Sequence, residues 1–380
     1  MGSVIDNIEK DWALFKTGLP HRHLPYSKKN WGNANHSLCS YQGKLKPAIA
    51  HHLVQTFVPD KGTLFDPFCG IGTIPFEGAL SGRRAYGMDI SPLAYYVASA
   101  KLHRHFPSLC TAYIEKIGKY ISTHPVSKDY VSRHSSFGYN KTLGEYFHPE
   151  TFKEILAARL FFSLQPPREP EEMLVMSSLL HILHGNRPYA LSRKSHPIIP
   201  YAPTGDFVYK NLIEKLREKV DRALAPNLYP TEFVEGKVFL QDTLLSWPEE
   251  ISQIDAIITS PPFYDSTRFY LANWIRLWFT GWEHEDFKRE PAKYLDEKQK
   301  NGLDIYTKIF EQAKSRLKPD GWLILHLGKS RKCDMGQVLL GYAKKYFSHI
   351  DLFDESVVDC SKFGIHDIGT VTSHEYLVMR

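Results

Sequence analysis

Apolar positions along the chain follow two different periods, and the switch between them outlines the molecule. Residues 47–58 (PAIAHHLVQTFV) repeat at helical spacing, with Pro47 suited to a first helical turn. A short apolar run, Thr63–Asp66, then predicts a strand. It is followed by a glycine-rich turn, a helix from Thr73 to about Ser81, and a second strand over Arg84–Asp89. Strand, helix and strand in this order make a βαβ unit and predict a parallel sheet. From about His105 to Glu235 the spacing becomes helical. Apolar stripes run over Thr151–Leu164, Glu171–His184 and Val208–Leu224, separated by proline-rich polar loops. Strand patterns return at Lys237–Gln241, Ala256–Thr259 and Trp322–Leu327, and Val357–Asp359 with Glu375–Met379 reads as a closing antiparallel pair.

The expected fold class is therefore α/β: a Rossmann-like sheet of about seven strands, interrupted once by a mostly helical insertion. The expected boundaries are a basic N-terminal arm at 1–46, carrying one short helix near Val4–Phe15, a catalytic domain formed by 47–104 and 234–380, and the insertion at 105–233. Trp274, Trp278 and Trp282 recur every four residues, which predicts a core stripe on a helix.

Composition changes this picture little, but the distribution of charge changes it more. With 380 residues, 43% apolar and 23% charged, the chain has the means to bury a sizeable core. The net charge is only +5, yet no acidic residue occurs between Asp11 and Asp60. That stretch carries Lys16, Arg22, Lys28, Lys29, Lys44 and Lys46 with Tyr26, Trp31 and Tyr41 among them, a composition suited to a phosphate backbone and equally to a solvated arm. The five cysteines show no metal-binding or disulfide spacing, so no metal is expected and a reducing, cytoplasmic setting is the default. The N-terminal residues lack the apolar run of a signal peptide, and no stretch has the length of a membrane span.

Three strand ends carry candidate chemistry. Asp66-Pro67-Phe68-Cys69-Gly70-Ile71-Gly72-Thr73 closes the first strand, where glycines permit a tight turn and the close approach of a cofactor. It lacks the lysine of a triphosphate cradle. Asp89, about twenty residues on, sits where a carboxylate accepts hydrogen bonds from ribose hydroxyls, although aspartate also caps helices. Ser260-Pro261-Pro262-Phe263 closes a later strand. Consecutive prolines stiffen the loop, the serine hydroxyl and a proline carbonyl offer two acceptors to one amino group, and Phe263 offers a ring for a base to stack on. His326, on an apolar strand, reads as a core or pocket-lining histidine.

Taken together, these residues resemble the amino-methylating DNA methyltransferases, which modify cytosine N4 or adenine N6. The resemblance covers roughly residues 35–104 and 234–380. Besides the glycine turn and the S-P-P-F loop, it includes Ser40–Ala48 (SYQGKLKPA) and the closing His374–Met379 (HEYLVM). It implies S-adenosylmethionine as cofactor, with Asp66, Pro67, Phe68, Gly70, Gly72 and Thr73 lining its pocket. Asp89 and Ile90 would lie at the ribose, Asp242 near the adenine ring, and Tyr41 and Lys44 by the methionine end. Ser260, Pro261, Pro262 and Phe263 would form the catalytic loop, and S-P-P-F goes more often with cytosine N4 than with adenine N6. The resemblance makes double-stranded DNA the expected partner, leaves open a cognate restriction endonuclease, and involves no membrane. The position of the insertion, between Asp89 and Asp242, departs from the family's usual orders.

Residues offered for DNA contact are Lys28, Lys29 and Arg268, with Arg187, Tyr189, Arg193 and Lys194 in a polar loop of the insertion. That loop reads equally as a target reader or as solvated charge. Carbon-5 methylation is disfavoured because no cysteine follows a proline to serve as its nucleophile. Two further readings stand beside the first. One is an RNA methyltransferase acting on a base amino group, since such enzymes share the glycine turn. The other is a DNA-binding component without catalysis, which the intact S-P-P-F loop disfavours.

Overall fold

The computed structural model describes residues 4–28, 30–41, 43–139, 141–185, 206–224, 229–264, 268–357 and 371–380. Seven strands form one sheet in the order β3-β2-β1-β4-β5-β7-β6. They are β1 (Thr63–Asp66), β2 (Arg84–Asp89), β3 (Lys237–Leu240), β4 (Ile254–Thr259), β5 (Leu317–Ser330), β6 (Ile350–Ser356) and β7 (Val371–Met379). The pairs from β3 through β5 are parallel, and β7 lies antiparallel between β5 and β6. Central β4 is buried along nearly its whole length, as befits a parallel strand covered on both faces. This is the seven-stranded, Rossmann-like sheet of S-adenosylmethionine-dependent methyltransferases.

The connections explain why the strand ends converge. From β1 the chain winds outward through β2 to β3, and from β4 it winds the other way through β5. The reversal falls between adjacent β1 and β4, the place where open α/β sheets bind ligands. Helices α1 (Val4–Gly18) and α2 (Pro47–Phe57) cover one face around Trp12, Phe57 and Trp322. Helix α3 (Thr73–Leu80) joins β1 to β2, and α4 (Pro92–Lys101) follows β2.

The helical part contains α5 (Pro107–Thr123), α6 (Lys128–Ser135), α7 (Leu143–Tyr146), α8 (Pro149–Leu164), α9 (Pro170–Gly185) and α10 (Leu212–Ala223). The first three go beyond the sequence expectation. Proline opens α2, α4, α5 and α8, where its missing N–H costs nothing. The long link from β4 to β5 holds α11 (Phe269–Ala272), α12 (Trp274–Phe279), α13 (Asp286–Arg289), α14 (Leu295–Lys298) and α15 (Tyr306–Arg316). Helix α16 (Met335–Ala343) follows β5 and packs with α15 against the second face.

Trp274, Trp278 and Trp282 are buried in one core that joins α4, the helical part and α12, as the four-residue recurrence predicts. One strand differs from expectation. The partner of β7 is Ile350–Ser356, upstream of the expected Val357–Asp359, of which only Val357 is described. The reason is register: Phe353 faces Tyr376 across the pair, and Ile350 reaches Met379. No described helix is long and apolar enough to cross a membrane.

Candidate active site at the strand switch

The glycine turn, the ribose-type acid and the S-P-P-F loop sit at neighbouring strand ends and are tied to one another. Asp66 Oδ1, at the end of β1, accepts from the Phe68 N–H at 3.1 Å and from Thr259 Oγ1, at the end of β4, at 2.6 Å. That second bond joins the glycine turn to the residue preceding Ser260. Asp89, at the end of β2, accepts from the Gly70 N–H at 3.0 Å and from the Ser91 N–H at 2.8 Å. Thr243, next to Asp242, donates to the carbonyl of Pro67. Four strand ends are therefore tied together at the switch point, where open α/β sheets leave a crevice.

Burial sets the protonation of the two acids. It pushes Asp66 up to about 7, against the pull of Thr259 and Phe68. It also pushes Asp89 up to about 6, against the backbone donors of Ser91 and Gly70. Asp89 remains partly open to the cleft, and its carboxylate keeps lone pairs for further donors.

Each glycine of the turn has its own reason. Gly70 has φ +49°, and the ring of Tyr41 lies 3.5 Å from where its β-carbon would be. A side chain there would fill the space between the turn and the tyrosine. Gly72 has φ +73°, and a β-carbon would meet Ala98 of α4 at 2.8 Å. Helix packing alone thus requires glycine at 72. Lys101 of α4 is fully buried and donates to the carbonyl of Ile71 at 2.7 Å, bracing the turn from behind. Burial, reinforced by Lys44, drives its ammonium well below the usual lysine range.

At the other wall, Ser260 Oγ lies 3.1 Å from Nδ1 of His326 on β5. His326 is buried and held well below its usual range by that burial, so it is neutral. Phe263 packs over the backbone of β5 at Gly328, where a β-carbon would overlap its ring. Gln299 donates to the carbonyls of Pro262 and Phe263 at 3.1 and 3.2 Å, fixing the loop from outside.

The remaining expected residues fall as follows. Tyr41 lies against Gly70 and is held by its neighbours. Arg276 bonds the carbonyl and hydroxyl of Ser40 at 2.6 and 2.7 Å, and the Tyr41 ring stands 5.3 Å from Phe269. Pro67 and Thr73 are buried in the turn, Phe68 packs toward the β4–β5 side, and Ile90 packs against the helical core. Asp242 pairs with Lys298 at 3.0 Å, while Lys44 turns its ammonium to the carbonyl of His36 at 2.9 Å. Lys28 and Arg268 are exposed. Lys29, Arg187, Tyr189, Arg193 and Lys194 lie outside the described residues.

Sequence reading missed Lys101, Arg276, Tyr294, Lys298 and Gln299. Tyr294 is buried against Asp89 and Ser91, and Lys298 and Gln299 follow it to Asp242 and the S-P-P-F loop. In sequence, D-E-K-Q-K looks like an exposed face, and no local signal marks it.

The sheet and the residues at its switch point are those of a methyltransferase-type fold, and S-adenosylmethionine is the cofactor they fit. The donor set fits it: a partly open carboxylate for hydroxyls and a turn without side chain at Gly70. The description "RMKL-like, methyltransferase domain" fits residues 35–112. Over 101 residues, 26% of this chain and 21% of the relative, the chain is 32% identical to the Type II methyltransferase M.MvaI of Kocuria varians. Over 98 residues, 26% of this chain and 29% of the relative, it is 32% identical to the release factor glutamine methyltransferase of Borreliella burgdorferi. The matched stretches thus span under a third of either relative. Among solved structures, the rRNA methyltransferase aviRa of Streptomyces viridochromogenes covers 93% of this chain, and 95% of aviRa is covered, with a TM-score of 0.36 and 13% identity. A TehB-like SAM-dependent methyltransferase of Corynebacterium glutamicum covers 87%, with 85% of that chain covered, a TM-score of 0.32 and 10% identity. These superpositions are loose, and the strand order defines the fold.

Proposed function

We propose that the protein transfers the methyl group of S-adenosylmethionine to the exocyclic amino group of a nucleic-acid base, with N4 of cytosine in DNA as the favoured target. The observation that carries the reading is the S-P-P-F loop at the end of β4, bound through Thr259 and Asp66 to the glycine turn. Acceptor and donor would share one cleft.

The bound cofactor supplies an activated methyl group, so the protein's task is positioning and charge stabilisation. An exocyclic amino nitrogen is a weak nucleophile because its lone pair is delocalised into the ring. In the tautomer protonated at Nε2, His326 accepts the Ser260 hydroxyl proton at Nδ1 and leaves the Ser260 lone pairs for the substrate N–H. The Pro261 carbonyl takes the second N–H. Two fixed acceptors favour a pyramidal nitrogen with its lone pair aimed at the methyl carbon, and they stabilise the positive charge that grows there. As the N–C bond forms, the nitrogen loses one proton, which leaves along the Ser260 side to water. Phe263 offers its ring to the extruded base.

Adenine N6 and RNA base amino groups present the same N–H geometry and are the alternatives. A glutamine amide does so too, and one relative is named for that substrate. Nucleoside mass spectrometry on DNA and RNA from cells expressing the protein separates them. N4-methylcytosine in DNA is the expected product. N6-methyladenine, or a methylated base in RNA alone, would replace the favoured target. No methylated nucleoside in either pool would end the nucleic-acid reading.

A further inference from the structure

On the far side of α11 from the cofactor cleft lies a cavity of about 360 Å³, within the size range of small-molecule pockets. Its walls come from two separate parts of the chain: Phe137 and Tyr139 after α6, and Arg268, Tyr270, Phe287 and Lys288 between β4 and β5. We propose that this cavity receives a base neighbouring the methylated one on the same nucleic-acid strand, stacked on the aromatic rings, with Arg268 and Lys288 on its phosphate. The proposal rests on the reading that the substrate is nucleic acid.

The rings pack on one another as a cluster, so a flat guest would stack on its outer faces and not between its rings. The Phe137 and Phe287 rings stand 5.2 Å apart, and Tyr139 lies 5.8 Å from Phe137 and 5.7 Å from Phe287. Tyr139 is exposed and Tyr270 half-buried, so ring faces remain uncovered, whereas Phe287 is buried and forms the floor. Sequence-tolerant capture of unstacked bases uses such aromatic faces beside a cationic track.

The charges complete the match. The Arg268 side chain is 55% exposed, and its carboxylate neighbour Glu297 is 3.8 Å away. The Lys288 side chain is 65% exposed, and it pairs with Glu285 at 3.1 Å. Exposed pairs of this kind are weak and exchange readily for a phosphate. Location ties the cavity to the reaction. Phe269 of α11 faces Tyr41, which covers Gly70, while the flanking Arg268 and Tyr270 line the cavity. A strand with its target base at Ser260 would cross one short helix to reach it.

The test uses the full chain with S-adenosylhomocysteine present and fluorescein-labelled single strands of DNA and of RNA, read by anisotropy. Tyr270→Ala is expected to weaken binding of the preferred strand about tenfold. Lys288→Ala, at an exposed position, is expected to lower the salt slope of binding by about one. Both variants should keep the thermal midpoint and cofactor affinity of the parent. The two oligonucleotides distinguish DNA from RNA as the source of the base. Parent-like binding by both variants, or no strand binding by the parent, overturns the proposal. If the variants lose strand binding while the parent methylates no nucleic acid, the function reading fails, and the cavity's place beside a methylated base is overturned with it although the cavity binds strand.

Discussion

Two stretches of the chain combine cations with aromatic rings, the acid-free run between Asp11 and Asp60 and the cavity beside α11, and they use their charge in opposite ways. In the first, Lys16 bonds Asp351 at 2.6 Å, and Arg22 meets Glu355 at 2.6 Å. Lys44 and Lys46 donate to the carbonyls of His36 and His21 at 2.9 Å each. Its aromatic Trp12 neighbour donates to the same Asp351. Lys16 and Arg22 thus fasten the arm to the sheet edge at β6, while Lys44 and Lys46 brace it from within. In the second stretch, Arg268 and Lys288 keep more than half of their side chains exposed and pair with Glu297 at 3.8 Å and Glu285 at 3.1 Å, pairs that solvent reaches. A charge run in sequence therefore does not locate a nucleic-acid surface, because the neutralising carboxylates lie more than 300 residues away.

The comparison breaks first at Glu355. This buried carboxylate serves His21, Arg22 and Tyr376 at once. Glu355→Ala is expected to cost about 3–5 kcal/mol in denaturant unfolding, since it strands buried partners. Burial pushes Glu355 up, but the bonds and charges of His21, Tyr376 and Arg22 outweigh it and hold the carboxyl down at about 2. A depressed carboxylate stabilises the fold fully above its ordinary value of 4.5 and loses that contribution as pH falls toward 2. The parent's stability should therefore drop in that window, and the drop should shrink in the variant.

At the cleft, Ser260→Ala is expected to lower turnover about a hundredfold while leaving cofactor affinity near that of the parent, as removal of one fixed polar contact does elsewhere. His326→Ala should lower turnover less, because it frees the hydroxyl without deleting it. Asp89→Asn is expected to weaken cofactor binding by about 1.5–3 kcal/mol, or roughly ten- to a hundredfold in calorimetry, the range of charge-assisted hydrogen bonds. Cofactor affinity of the parent should rise as pH climbs through about 6, where Asp89 ionises, and this dependence should vanish in Asp89→Asn. The smallest effects belong to the arm. Lys16→Ala should change stability by at most about 1 kcal/mol, as for a solvent-accessible pair. Lys28→Ala, exposed, should leave stability unchanged.

What sequence revealed of this site, and what it hid, follows from the range of the interactions involved. Asp66, Gly70, Asp89 and Ser260 each stand at the end of a short apolar run, so local pattern finds both strand and residue. The number of strands follows once those runs are counted, but their order comes only from the fold. Gly72 was legible as a glycine, but its packing on Ala98 was not, because that contact comes from the next helix. Arg276 sits in W-I-R-L-W-F and looks like an exposed break in an apolar stripe. Only the fold shows it reaching Ser40 and the Leu180 carbonyl, at 2.9 Å for the latter. Gln299 and Tyr294 were hidden for the same reason, since their partners come from β4 and β2. Val357–Asp359, of which only Val357 is described, stood for the partner of β7 because two adjacent valines do not fix register.

The central claim is that one cleft holds both the methyl donor and an amino-gripping loop. Transfer of a tritiated methyl group from S-adenosylmethionine to duplex DNA, by the parent and by Ser260→Ala in parallel, tests it most directly. Label should appear on cytosine amino nitrogen with the parent and fall about a hundredfold with the variant, at unchanged cofactor binding. Equal transfer by the two proteins would contradict the account.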